Sequence, residues 1–213
     1  MQITNRVVES NSWVLMTLLF GLVLLFLVKK INSQLIENYA KAFFIKGLIE
    51  KKSQEKTNFF SLTNLFLFLF SGIVLALFLV LISKYYLTEI EADFTTFTYF
   101  LSGLLVYILS NYFLEYLFIR IFSLRNVLTY FLTSKRIYLF TFSIWLFPII
   151  VLSFYTFNSG IPLLIMAFLL FLMSLILIFT NNKNLLVSEL FYFILYLCLL
   201  KIAPLLIIYK IMF

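Results

Sequence analysis

Long apolar blocks alternate with shorter polar connections along the whole chain. Each block approaches the length that an α-helix needs to cross a hydrocarbon core about 30 Å thick, at a rise of about 1.5 Å per residue. The alternation predicts an all-α, polytopic transmembrane helical bundle that forms a single domain over residues 1–213. The six predicted spans are approximately residues 13–28, 59–82, 97–119, 137–157, 162–179 and 188–210.

The first polar connection, residues 29–57, has a helical periodicity of its own. Glu37 and Lys41 fall on one side of a helical wheel, opposite a mostly apolar half. That half consists of Ile31, Leu35, Tyr39, Ala42, Phe43, Ile45 and Ile49. The pattern predicts an interfacial amphipathic helix on the cytoplasmic membrane surface, with its lysines toward anionic headgroups; the alternative is a solvated loop. Residues 120–136 form a second candidate surface helix, because apolar residues recur there at helical spacing between basic ones.

Turn-forming and small residues mark further features of the spans. Residues 158–162 include an Asn, a Ser, a Gly and a Pro, which predicts a tight turn and an antiparallel hairpin of the fourth and fifth spans. Residues 180–184 predict another short turn, and Pro148 predicts a kink in the fourth span. Gly72 and Ala76 lie one turn apart in the second span, where small side chains let a neighbouring helix approach closely.

The composition agrees with a membrane protein and excludes a soluble domain. Of the 213 residues, 64% are hydrophobic and 12% are charged, and 28 are phenylalanines. The single cysteine, Cys198, excludes an internal disulfide. It lies inside an apolar block and is expected to pack as a small hydrophobic side chain.

The net charge of +7 is concentrated in particular connections. Residues 29–57, 120–136 and 180–184 share one side of a six-span bundle and hold seven, four and one of the 16 Lys and Arg residues. The positive-inside rule places this side in the cytoplasm and both termini in the periplasm. Because the charge flanks the spans, it indicates attraction to anionic membrane lipids and not to nucleic acid.

The residue types that the chain lacks exclude most enzyme chemistry. There is no histidine, Asp93 is the only aspartate, and the five glycines form no phosphate-binding loop. Histidine-dependent zinc, haem and nucleophilic sites are therefore excluded, as is paired aspartyl chemistry. The sequence predicts a protein without catalytic residues, metal ligands or cofactors.

The last predicted span, residues 188–210, carries the most costly residue of the chain. Lys201 lies in its body, and an ammonium group in hydrocarbon costs about 2.5 kcal/mol or more. Pro204 cannot donate a hydrogen bond to the preceding turn, so it kinks or breaks the helix beside this charge. Glu189 lies roughly 18 Å away along the same helix, which is too far for pairing. Lys201 is expected to meet either an acid of the 89–93 loop or an acid of a partner protein.

The third predicted span holds a polar stripe at four-residue spacing. Gly103, Tyr107, Asn111 and Glu115 lie on one slowly drifting face, which we predict to look into the bundle. In the simpler interpretation Glu115 and Glu189 pair with basic residues at headgroup level. In the alternative, the Glu115, Asn111 and Tyr107 side chains form a proton or cation relay. Together with Lys201 and Pro204, these residues make up a candidate intramembrane polar site.

Several of these features occur together in one known family. Arg6 precedes the first span, Trp13 begins it, and a basic loop follows it. The closing apolar segment contains Tyr196, Cys198, Pro204 and Leu205. In this order of elements the chain resembles DUF4271, a family of uncharacterised integral membrane proteins found in Bacteroidota. The resemblance implies the inner membrane of a Gram-negative envelope and implies no reaction.

Two classes of function stay open at this stage. The absence of soluble domains and the intramembrane Lys201 favour a non-catalytic subunit or assembly factor of an envelope membrane complex. The polar stripe and the broken last helix favour a small secondary transporter or channel for an ion, a lipid or a hydrophobic metabolite. The expected partners are membrane lipids and either other inner-membrane proteins or a second copy of the chain.

Overall fold

A computed structural model describes residues 12–43, 62–86, 93–122, 125–156 and 160–188, and all regular structure within these ranges is helical. The six helices are α1 (Ser12–Ile31), α2 (Ser33–Lys41), α3 (Leu62–Tyr86), α4 (Phe94–Phe122), α5 (Arg125–Tyr155) and α6 (Ile161–Ser188). The predicted helical membrane bundle is thus confirmed. Four stretches, in α1, α3, α4 and α5, are long and apolar enough to cross a membrane, and α6 adds the shorter apolar stretch Ile161–Leu177. The count of six spans stays a prediction, since residues 189–213 lie outside the described residues.

Helix α3 is the centre of the bundle, because α1, α4 and α5 all contact it. Its apolar stretch is 56% buried, and Phe70, Val74 and Leu77 are almost fully enclosed. Gly21 of α1 lets Phe70 and Phe147 approach to 3.8 and 3.4 Å from the position that a Cβ would occupy. Close packing of this kind holds helices together in lipid, where no hydrophobic force acts between them.

The small-residue pair of the second predicted span acts as the sequence predicts. A Cβ placed on Gly72 would lie 3.1 Å from Leu105 Cδ2 and 3.6 Å from Leu101 Cδ1, both on α4. Ala76, one turn later, is fully buried. The absent side chain at Gly72 is therefore what allows α4 to lie directly against α3.

Two predicted boundaries differ from the structure. Helix α5 runs without interruption from Arg125 to Tyr155, so most of the candidate surface helix at 120–136 is the first part of the fourth long helix. Helix α6 continues to Ser188, so the turn predicted at 180–184 is wrong. Neither segment contains a Gly or Pro, and polar residues alone do not end a helix that can extend beyond the hydrocarbon.

Helix α2 follows α1 after a single residue. Asn32 adopts an extended conformation with φ −150° and ψ 90°, and its side-chain oxygen accepts a hydrogen bond from the Leu35 amide at 3.1 Å. This is an N-cap, which satisfies one of the amides left unpaired at a helix start. Lys29 and Lys30 lie in the last turn of α1, where cations are favoured by the helix dipole. The chain therefore turns sharply at the basic end of the bundle.

Candidate functional site

The predicted amphipathic helix is present as α2, and its apolar side is covered by protein. Leu35, Tyr39 and, just after the helix, Phe43 are buried in a cluster with residues of α1, α3 and α5. On the opposite side Lys41 Nζ donates to Glu37 Oε1, and this hydrogen bond together with the lysine charge holds the pKa of Glu37 below its usual value. The polar side of α2 thus faces outward while its apolar side packs on the bundle, not on lipid.

Two side chains of α5 bond the end of α2 from across the chain. The Thr141 hydroxyl lies 2.9 Å from the Tyr39 carbonyl oxygen and 2.8 Å from that of Ile137, and shares its proton between them. Four residues later, Trp145 Nε1 donates to the carbonyl oxygen of Ala40 at 3.1 Å. The last carbonyls of any helix lack partners within the helix. The Tyr39 carbonyl also accepts from the amide of the C-cap Ala42 at 3.2 Å, so Thr141 is a second donor to it. Thr141 and Trp145 together hold α2 against α5.

Aromatic rings and one arginine surround this contact. The Tyr39 ring lies 5.8 Å from that of Phe140, and Phe43 stacks on Tyr138 at 6.4 Å between centroids. Arg136 is only 9% exposed, and its guanidinium carbon lies 6.0 Å from the centre of the Tyr112 ring on α4. An arginine over an aromatic face gains a cation–π attraction. This cluster therefore joins α2, α4 and α5 at the basic end.

Tyr39 is the titratable centre of the cluster. Burial raises the pKa of its phenol to about 12, although the positive charge of Arg136 acts in the opposite direction. The neutral phenol is thus the stable form at physiological pH.

The polar stripe of the third predicted span lies on the outside of the described helices. Tyr107 is 55% exposed, and a Cβ on Gly103 would meet nothing within 4 Å. Asn111 Nδ2 donates to the Tyr107 carbonyl oxygen at 2.9 Å, one turn back on the same helix. The prediction that this face looks into the bundle is therefore wrong for the helices that the structure describes. Helix α4 packs on α3 through the face that carries Leu101 and Leu105 instead.

Helix α4 combines polarity with exposure. Its candidate span, Phe94–Leu114, is the least hydrophobic of the four, yet only 6% of its apolar window is buried. The corresponding burial is 33% in α1, 50% in α5 and 56% in α3. The hydroxyls of Ser102 and Ser110 bond to carbonyls one turn back in α4. The least hydrophobic of the four candidate spans thus has the smallest buried share.

The structure brings together only part of the predicted polar site. Tyr107 and Asn111 are neighbours on α4, and Glu115 belongs to the same helix, although its side chain is outside the described part. Lys201, Pro204 and Glu189 lie outside the described residues, so their proposed contacts stay predictions. No group of three or more potential metal ligands occurs in the described ranges.

Sequence reasoning missed the contact between α2 and α5. Thr141 and Trp145 are four residues apart on one face of an apolar helix, which is the spacing that two side chains need to reach the same neighbour. This spacing was the available signal. It did not identify α2 as the neighbour, because the bonded residues are 102 and 105 positions away in the chain.

Comparison with known proteins assigns the chain to one family. A family model described as a domain of unknown function, DUF4271, matches residues 14–212. The chain belongs to the DUF4271 family. The match covers nearly the whole chain and confirms the resemblance drawn from Trp13 and the closing apolar segment. The chain matches no curated protein and no solved structure. The DUF4271 description carries no activity, so a function has to be argued from the geometry.

Proposed function

We propose that this DUF4271 protein is a non-catalytic integral membrane protein that serves as a subunit or assembly factor of an envelope membrane complex. The observation that supports it is the exposed polar surface of α4. Lipid tails are as apolar as leucine, so burying the most hydrophobic helix gains nothing from hydrophobicity alone. Exposing the most polar helix is favourable only if its polar side chains contact another protein. Helix α4 is thus the docking helix of an assembly.

Tyr107 shows the physical reason most directly. It lies thirteen residues beyond Phe94, roughly 20 Å along the helix, and therefore at membrane depth. A phenol hydroxyl there gains about 0.6–2 kcal/mol when a neighbouring helix supplies a hydrogen-bond partner, and lipid tails cannot supply one. Protein contact satisfies the hydroxyl without burying a charge.

The charges of the described helices support a fixed orientation in the membrane. Lys29 and Lys30 lie in the last turn of α1, and Lys135 and Arg136 lie in the first half of α5. Val28 and Tyr138 belong to one packed cluster, so these four cations share one end of the bundle. We place this end in the cytoplasm, and with six spans both termini are periplasmic.

The test is recovery of the protein, tagged at its native level and extracted from membranes in mild detergent, followed by identification of what accompanies it. The proposal expects other membrane proteins in fixed stoichiometry. Val106 projects from the exposed face of α4 and Met166 from the exposed face of α6. Val106→Trp is expected to release the accompanying proteins, because an indole obstructs a close helix contact, whereas Met166→Trp is the matched control.

Two outcomes contradict the proposal. One is a full set of accompanying proteins with both tryptophan variants, because α4 would then not be the docking helix. The other is a particle that holds only this chain and a bound ion, lipid or small metabolite. That particle would favour the transporter or channel function instead.

A further inference from the structure

The end of α2 lies beside α5 within the membrane, on the hydrocarbon side of the basic side chains. Trp145, whose indole bonds the Ala40 carbonyl, follows Arg136 by nine residues, or about 13 Å along α5. Gly21, which packs against the same turn of α5, precedes Lys30 by nine residues, so α1 gives the same depth. A tryptophan side chain with one hydrogen bond spans less than this distance. Helix α2 therefore descends from the headgroup level into the leaflet.

The outward side of α2 is polar at this depth. Gln34, Glu37 and Lys41 are exposed and follow one another at intervals of three and four residues, so they form one stripe. The apolar side of α2 packs on the bundle, and the stripe therefore faces the surrounding leaflet. Hydrocarbon cannot satisfy amide, carboxylate and ammonium groups, whereas the headgroup and glycerol esters of a phospholipid can. We call these three residues the α2 stripe.

The charge next to the α2 stripe is positive and is not balanced by the chain. Lys29 and Lys30 are exposed in the last turn of α1 and make no ion pair within the described residues. Glu37 is the only carboxylate among the described side chains at this end, and Lys41 already pairs with it. The longer stretches without described side chains are also basic. They hold four lysines against two glutamates, two arginines against one glutamate, and two lysines against one glutamate, in residues 44–61, 115–131 and 189–213. The complementary negative charge therefore comes from outside the chain.

We propose that α1, α2 and α5 form a binding site for one anionic phospholipid of the leaflet at the basic end of the bundle. Its phosphate lies at Lys29 and Lys30, its glycerol esters lie along the α2 stripe, and an acyl chain passes Trp145. The depth of α2 selects a lipid, because the stripe opens sideways into the leaflet, and the unbalanced lysines select an anionic one. The dimensions agree, since the ~13 Å from Lys30 to the level of Trp145 is slightly less than the roughly 15 Å of one hydrocarbon leaflet. The inference is independent of the proposed function, because α4 takes no part in it.

The two tryptophans of the chain provide a reporter and its control. In the full chain with Trp13→Phe, the only indole is Trp145, which is 37% exposed and bonded to α2. With Trp145→Phe, the only indole is Trp13 in the first turn of α1, where it packs on Phe94 and Phe97 at the opposite end of the bundle. An acyl chain that carries bromine quenches the fluorescence of an indole in contact with it. Quenching therefore reports which lipid lies beside each tryptophan.

The test places each protein in vesicles of equal parts phosphatidylcholine and phosphatidylglycerol, with bromine on one lipid or on the other. We expect Trp145 to prefer brominated phosphatidylglycerol about fivefold or more, the factor that one lysine near an anionic lipid contributes, and Trp13 to show no preference. Lys29→Gln combined with Lys30→Gln is expected to abolish the preference at Trp145. Lys29→Arg combined with Lys30→Arg should keep it, as should Lys84→Gln in the last turn of α3 at the opposite end.

Four results would overturn the lipid site. Equal quenching of Trp145 by the two brominated lipids would show that no anionic lipid is selected. An equal preference at Trp13, or a preference that survives the glutamine pair, would show only a general attraction of the chain to anionic membranes. Loss of the preference when inorganic phosphate replaces chloride at constant ionic strength would show that the lysines bind a soluble anion instead. None of these results bears on the docking of other proteins to α4, so the two proposals stand or fall separately.

Discussion

The close approach of α4 to α3 at Gly72 gives a quantitative prediction about the stability of the bundle. The perturbation is Gly72→Val, and the matched control is Gly103→Val on α4. Both changes replace a helical glycine with the same β-branched residue, so both gain the same few tenths of a kcal/mol in helix propensity. The two sites differ in their surroundings, and the difference between the variants therefore measures packing alone.

The magnitude follows from the distances at Gly72. A Cβ there meets Leu105 Cδ2 at 3.1 Å, closer than the roughly 3.5–4.0 Å of an unstrained carbon contact. The two methyl groups of valine need still more room, so Leu105 must leave its rotamer or α4 must move away from α3. Overpacking of this kind costs about 1–3 kcal/mol. At Gly103 no atom of the described residues lies within 4 Å of the added atom, and we expect no cost there.

The assay is unfolding in a titration of denaturing detergent against mild detergent, at a dilution that keeps each molecule apart from other copies. We expect Gly72→Val to unfold about 1–3 kcal/mol more easily than Gly103→Val. Equal stability of the two variants would show that α4 does not pack on α3 at Gly72. A larger loss for Gly103→Val would show that the buried and exposed faces of α4 are reversed.

Three further predictions concern α2 and α5. Thr141→Val and Trp145→Phe each remove one hydrogen bond to α2, worth about 1 kcal/mol, so both should speed hydrogen exchange in α2. The control Ser143→Ala removes a bond within α5 only and should not change this exchange. Ser153 Oγ is buried and has no hydrogen-bond partner among the described residues, so Ser153→Ala should leave stability unchanged or raise it by up to ~1–3 kcal/mol, and a clear loss would contradict this. Burial raises the pKa of Tyr39 to about 12, against about 10 in the unfolded chain, so its contribution to stability is complete below about pH 10 and is lost as the pH rises toward 12. The difference in ultraviolet absorbance between wild type and Tyr39→Phe should titrate near the higher value, and a midpoint near 10 would mean that the phenol is solvated.

The sequence by itself determined the class of structure and the position of most helices. Apolar blocks of sufficient length have one stable form in lipid, since a helix satisfies its own backbone hydrogen bonds there. The wheel through Leu35 and Tyr39 likewise determined α2, because that segment borders water and its two sides differ in polarity. The close helix contact at Gly72 could be predicted for the same kind of local reason, since a missing side chain permits close approach by any neighbouring helix.

Only the tertiary structure decided which surfaces meet. Within a membrane, a lipid-facing side and a protein-facing side are equally apolar, so the periodicity of α4 could not show that Tyr107 and Gly103 face outward. Nor could it show that Leu105 packs on Gly72. The bond from Thr141 to the Tyr39 carbonyl joins residues 102 positions apart, and the last carbonyls of every helix can accept such a bond. The chain encodes its helices through local chemistry, whereas the neighbours of each helix depend on a packing that no single segment contains.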